Sequence, residues 1–249
     1  MRALLLVAGL LVAAPAIAQE KFVSSNVDVR TLIDFKVSDA ALQKVLPEGW
    51  DIDPRTGVSA GANLRVTLVD PQMVMDAEGK SVDPVRVVSL SVPVKQKGTD
   101  ARGAMVIAGY VSSAKAAPGA YGLYGPARAL VERKIRSDAE GTAIGEESWM
   151  FAGDDGGSVQ IQLQYVRGLL AKQKVDGKVY SAAKPGFFRI YRFEMGADVV
   201  RGVGGADRLS KFSFKATGGK IGALLNGSEQ LISVTSVPWY SREVFLPGS

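Results

Sequence analysis

Between Tyr121 and Lys134 the sequence reads YGLYGPARALVERK, placing two glycines and a proline ahead of Arg128, Arg133 and Lys134. A lysine here attacks a carbonyl only as the neutral amine, which takes desolvation or a neighbouring cation to depress its pKa. Lys134, and Lys115 just before the loop, are the lysines placed for that role. Arg128 stays charged and is never a nucleophile at ordinary pH, but its planar fork of donors suits a ligand carboxylate. Further on, Glu146 and Glu147 precede Trp149 and offer an acid/base pair. Adjacent residues on a strand face opposite sides, so at most one of these carboxylates enters a pocket.

Composition removes most other chemistry. The 249 residues contain neither histidine nor cysteine. Ser-His-Asp and Cys-His nucleophiles are therefore excluded, as are zinc sites built on those ligands. Disulfides are excluded as well, so stability rests on packing. DAEGK (76–80) and AGDDGGS (152–158) read as polar hairpin turns rather than calcium loops, and no metal is expected. The glycine-rich RGVGGAD (201–207) lacks the strand–turn–helix context of a dinucleotide fingerprint and reads as a loop. No cofactor is expected. The formal net charge is +5, from 30 basic and 25 acidic residues scattered among one another without aromatic interleaving. That pattern describes a solvated, mildly basic surface, with no nucleic-acid partner.

The N-terminus reads as an export signal: Arg2, the apolar run Leu4 to Ala14, then the small-x-small site Ala16-Ile17-Ala18. The expectation is a periplasmic or secreted protein that keeps no transmembrane segment once residues 1–18 are removed. Residues 19–249 are expected to form one β-rich domain, since no repeat or long linker divides them. Whether it forms a homo-oligomer is left open.

The elements that must position the reactive groups are mostly strands. VVSLSVPV (87–94), GAMVIAGYV (103–111), SVQIQLQYV (158–166) and FFRIYRF (187–193) are short β-branched or alternating runs. In the third, Val159, Ile161, Leu163 and Tyr165 share one face and Gln160, Gln162 and Gln164 the other. QKGTDARG (96–103) and VDGK (175–178) read as turns. Helices are few. Ser38 caps a helix over 39–46, stopped by Pro47-Glu48-Gly49. Pro126 begins a second over 126–137, with Leu130 and Ile135 toward the core.

Three further stretches resemble the acetoacetate decarboxylase-like family. VSDAALQKVLPEGWDID (37–53) is similar to the family's short helix ending at a Leu-Pro-x-Gly turn. VVSLSVPVKQKG (87–98) resembles its strand ending in Val-Pro, and VTSVPWYSREVFLPGS (234–249) its C-terminal strand. The resemblance implies an α+β fold, mainly antiparallel β, in a cone-like barrel with a few short helices around an apolar pocket.

The family's signature then falls on the opening stretch. It runs roughly Gly-Arg-Glu and, after a short spacer, Pro-Lys-Lys. Aligned without gaps, Gly119 and Pro126 match. Ala120 and Tyr121 replace the arginine and glutamate, Ala127 the first lysine and Arg128 the second. Ala127 cannot form the Schiff base that drains electrons from a departing carboxylate. The glutamate expected on the preceding strand is missing too, since VRVVSLSVPV (85–94) holds no acid. The resemblance implies the family's pocket without its reaction.

The leading expectation is thus an exported binder of a small or moderately apolar acidic ligand. Arg128 would pair with the ligand carboxylate, and Tyr121, Tyr124 and Trp149 would line the pocket. Two alternatives stand beside it: a lyase or hydrolase of changed mechanism using Lys134 or a glutamate, and an envelope-associated structural or interaction protein.

Overall fold

The computed structural model describes residues 19–248; the segment read as an export signal lies outside them. Twelve strands carry most of the described chain: β1 (Lys21–Lys36), β2 (Trp50–Ile52), β3 (Leu64–Asp76), β4 (Val87–Gln96), β5 (Arg102–Val111), β6 (Tyr124–Ser137), β7 (Ala143–Gly153), β8 (Ser158–Val166), β9 (Ala171–Ser181), β10 (Phe188–Arg201), β11 (Leu209–Thr217) and β12 (Gln230–Leu246). Two short helices join them, α1 (Asp39–Gln43) and α2 (Gly219–Leu224). Ser38 caps α1 as expected, its hydroxyl accepting the Ala41 N–H at 3.3 Å, and Leu42 is buried beneath it.

Seven strands link into a ring. Going around, β5 pairs with β4, then β3, β1, β12, β10 and β9, and β9 returns to β5. Every step is antiparallel except the closing one, where Ala104–Val106 runs parallel to Val179–Ser181. The same edge of β5 then changes partner: Gly109–Val111 runs parallel to Tyr124–Pro126 and launches a second layer in the order β6-β7-β8-β11. The fold is mainly antiparallel β in a barrel-like ring with few helices, as expected.

Alternation divides the ring strands into two unlike faces. Ile33 and Phe35 of β1, Leu64, Val66 and Leu68 of β3, and Val88 and Leu90 of β4 turn outward. They pack in one core with Trp149, Phe151 and Ile161 of the second layer. Each such buried side chain contributes about 1.5–3 kcal/mol. The intervening residues, among them Arg30, Arg65, Thr67, Ser89 and Ser91, face the interior of the ring. The dry core therefore lies between the layers, and the ring encloses a separate space whose largely apolar wall carries arginines and hydroxyls.

Two sequence expectations are corrected. PARALVERKIRS is not a helix but the body of β6, which pairs with β7 from Ala127–Gly153 to Ser137–Ala143. Pro126 stands where the strand leaves β5 and takes up β7, a position that tolerates a missing N–H. Ala127, Ala129, Val131 and Arg133 face inward, while Leu130 and Ile135 are 56% and 60% exposed instead of reaching the core. VDGK is likewise no turn but part of β9.

Candidate functional site

The ring encloses a cavity of about 330 Å³. Five arginines line it: Arg30 from β1, Arg65 from β3, Arg189 from β10, Arg242 from β12, and Arg55 from the loop after β2. Among the described residues, two buried carboxylates, Asp28 and Asp34, pair with them.

At one end Asp34 accepts both prongs of Arg65 and the hydroxyls of Ser59 (2.7 Å) and Ser233 (2.9 Å). Arg55 Nε lies 3.2 Å from the same carboxylate but has no hydrogen-bond partner. Burial alone would raise the Asp34 pKa, yet Arg65 and then Arg55 outweigh it and hold Asp34 at about 2. Burial, followed by the Arg65 cation, pushes the Arg55 guanidinium down to about 9. Two cations thus share one anion.

Toward the other end of β1, Arg30 forks onto Asp28 at 2.5 and 2.8 Å, and its guanidinium carbon lies 3.4 Å from the Tyr240 ring centroid. Among the described residues, Arg242 has no carboxylate of its own. Its Nε donates to Asn26 Oδ1 at 2.9 Å, and its guanidinium carbon lies 4.2 Å from the Tyr191 ring centroid. Asn26 in turn donates to Asp28. The Nε of Arg189 is buried with no partner.

The segment leading into β6 supplies Tyr121 and Tyr124 to the same wall. The Tyr121 and Tyr191 hydroxyls meet at 2.5 Å, and Tyr124 reaches Ser89 at 3.1 Å. Ser181 fixes the segment by donating to the Tyr121 carbonyl at 2.6 Å. The Tyr124 ring sits between two glycines, since a Cβ on Gly109 or Gly119 would come within 2.6 and 2.7 Å of it. Burial raises both phenols, Tyr124 to about 12, so they stay protonated at neutral pH. Among the described residues, no lysine lines the cavity.

The residues singled out by sequence scatter. Tyr121 and Tyr124 line the cavity. Arg128 does not: it is exposed on the outward face of β6, opposite Ala152, because alternation turns it away from buried Ala127. Trp149 is buried between the layers rather than on the cavity wall, its Nε1 donating to Glu147 at 2.9 Å. Glu147 points inward on β7 and also accepts from Thr31 (2.5 Å), Tyr165 (2.9 Å) and Arg133 (3.3 Å), so it ties β1 to the second layer. Glu146 points the other way and pairs with Arg136 at 3.0 Å. Lys134 is exposed, 3.6 Å from Glu132, and Lys115 is exposed as well. Lys134, Glu146 and Glu147 do border one groove of about 340 Å³ on the second layer. Its lysines, Lys134 and Lys211, are exposed and its carboxylates are already paired, so it lacks the desolvated amine or poised acid that catalysis would need.

The cavity arginines went unnoticed in the sequence. Their only local signal is a charge at inward positions of apolar strands, as in VDVRTLIDF (27–35), LRVTLV (64–69) and FRIY (188–191).

No family model and no curated protein matches the sequence. Solved structures do match the fold. The enduracididine biosynthesis enzyme MppR, with HEPES buffer bound, aligns over 98% of this chain and 97% of its own at 12% identity and a TM-score of 0.57. An acetoacetate decarboxylase-like enzyme from Sphingomonas wittichii RW1 aligns over 98% and 100% at 10% identity and 0.55. The acetoacetate decarboxylase from Legionella pneumophila subsp. pneumophila str. Philadelphia 1 aligns over 98% and 96% at 14% identity and 0.50. MppR is also solved in complex with pyruvate. At such identities the likeness establishes the fold: that of acetoacetate decarboxylase and its like.

Proposed function

We propose that this chain puts the acetoacetate decarboxylase-like fold to use as an exported binder of a small acidic ligand, held inside the ring without a Schiff base. One observation carries the reading: among the described residues, the cavity wall holds five arginines, which two buried carboxylates pair with, and no lysine. Arginine remains protonated and cannot supply the amine an iminium requires. What it supplies is a charge-assisted, two-pronged grip on an oxyanion, strengthened where water is excluded. Tyr121 and Tyr124 add neutral donors, and Leu32, Phe193 and Met195 add apolar wall for the rest of the ligand. The pyruvate complex of MppR is consistent with acid binding on this scaffold. Arg2, the apolar run and Ala16-Ile17-Ala18 support export.

Incubation with acetoacetate or pyruvate and borohydride should leave the mass of the protein unchanged. A thermal-shift panel of keto, fatty and phenolic acids should yield stabilising acids whose neutral esters do nothing. A stoichiometric reduced adduct mapped to one lysine would sink the reading.

A further inference from the structure

We infer that the ligand is a dianion gripped at both ends, with an apolar chain between its two charged groups; this rests on the acid-binding reading above. The cavity cations fall into two groups. Arg55 and Arg65 share Asp34, while Arg30 and Arg242 share Asp28, the second of them through Asn26. Each group is one negative charge short, and the deficits lie at different places along β1. Arg30 and Asp34 are four residues apart, roughly 13 Å at the rise of a strand.

The wall between them is mainly apolar. Leu32 takes the inward position midway, and it packs with Phe193, Met195 and Tyr240 in a cluster separate from the main core. A monocarboxylate satisfies one group and leaves the other short of an anion, with its own apolar tail directed at a cation. A chain carrying an anion at each end meets both groups and lays its methylenes on Leu32. The unpartnered Nε of Arg189 adds a further donor in the same wall.

The test uses isothermal titration of the chain from Gln19 onward with the α,ω-dicarboxylates from succinate to sebacate, each beside its monomethyl ester. One intermediate chain length is expected to bind at least about tenfold more tightly than its monoester. Arg55→Gln and Arg242→Gln should each lower that diacid to monoester affinity while the monoester, free to use the other end, changes by less than about threefold. The ligand series in the unsubstituted protein decides the matter even if a variant folds poorly. Diacids and monoesters binding alike at every length would overturn the two-ended site while leaving a single acid site. A best fit at succinate would overturn the separation of the ends. No binding by either set would overturn the acid-binding reading itself.

Discussion

Arg65 grips Asp34 with two prongs, Nε to Oδ1 at 2.8 Å and Nη2 to Oδ2 at 2.7 Å, around a carboxylate with no solvent exposure. The pair anchors β3 to β1 and forms one end of the cavity. Its charge state therefore links stability to pH.

Asp34 is held at about 2 against an ordinary 3.8, so the folded state binds this proton less readily than the unfolded chain. The resulting stability is fully present above the unfolded value and is lost as pH falls through about 4 toward about 2. Its size is about 2 kcal/mol. Urea unfolding across that window should show the loss in the native protein and its absence in Asp34→Asn. The variant itself should be weaker by about 3–5 kcal/mol at neutral pH, because Arg55 and Arg65 are left uncompensated.

Glu147 receives four donors from four strands, Thr31 of β1, Arg133 of β6, Trp149 of β7 and Tyr165 of β8, and the second layer depends on it. Glu147→Gln turns one acceptor into a donor that faces other donors. A cost of about 3 kcal/mol is expected in chemical denaturation. Ligand affinity should not move, since the carboxylate lies outside the cavity; a selective loss of binding at unchanged stability would return Glu147 to the site.

Gly109 allows the Tyr124 ring to lie against the backbone of β5. A methyl there would meet the Val88 carbonyl oxygen at 2.5 Å and the Tyr124 ring at 2.6 Å. Gly109→Ala should cost about 1–3 kcal/mol by overpacking and weaken ligand binding as the ring is displaced. Thermal unfolding and titration of the same preparation measure both effects.

Arg128 and Arg189 should behave oppositely. Arg128→Ala and Lys134→Ala remove exposed charges outside the cavity and should leave acid affinity unchanged. Arg189→Ala removes a guanidinium from the wall and should weaken binding roughly ten- to a hundred-fold, the worth of a charge-assisted hydrogen bond. Equal effects in calorimetry would show that the cavity is not where the acid binds.

Much of this was legible without coordinates, and the physical reason is local. The missing histidines and cysteines exclude whole reaction classes whatever the fold. In SVQIQLQYV the alternation named the buried set correctly: Val159, Ile161, Leu163 and Tyr165 are all in the core. Ser38 marked the start of α1 because capping acts over a few residues, while the helix ends at Gln43, short of the Leu46 end expected from Pro47-Glu48-Gly49. PARALVERKIRS misled because Arg133 on the inward face, Leu130 on the outward face and Ile135 exposed near the strand's end blur its period of two, and its pairing with β7 then overrode propensity.

The site itself was decided by tertiary structure. Alternation says that a strand has two faces; it does not say which face meets another layer and which encloses a space. Here the apolar face of β1, β3 and β4 turns outward to the second layer, leaving Arg30 and Arg65 to point inside. Arg30, Arg55, Arg65, Arg189 and Arg242 come from widely separated segments, and in the sequence each reads as a solvated surface charge. Closure of the ring at Ala104–Val106 against Val179–Ser181 gathers them around one cavity, because only a closed sheet can bring inward side chains from every strand to a common centre.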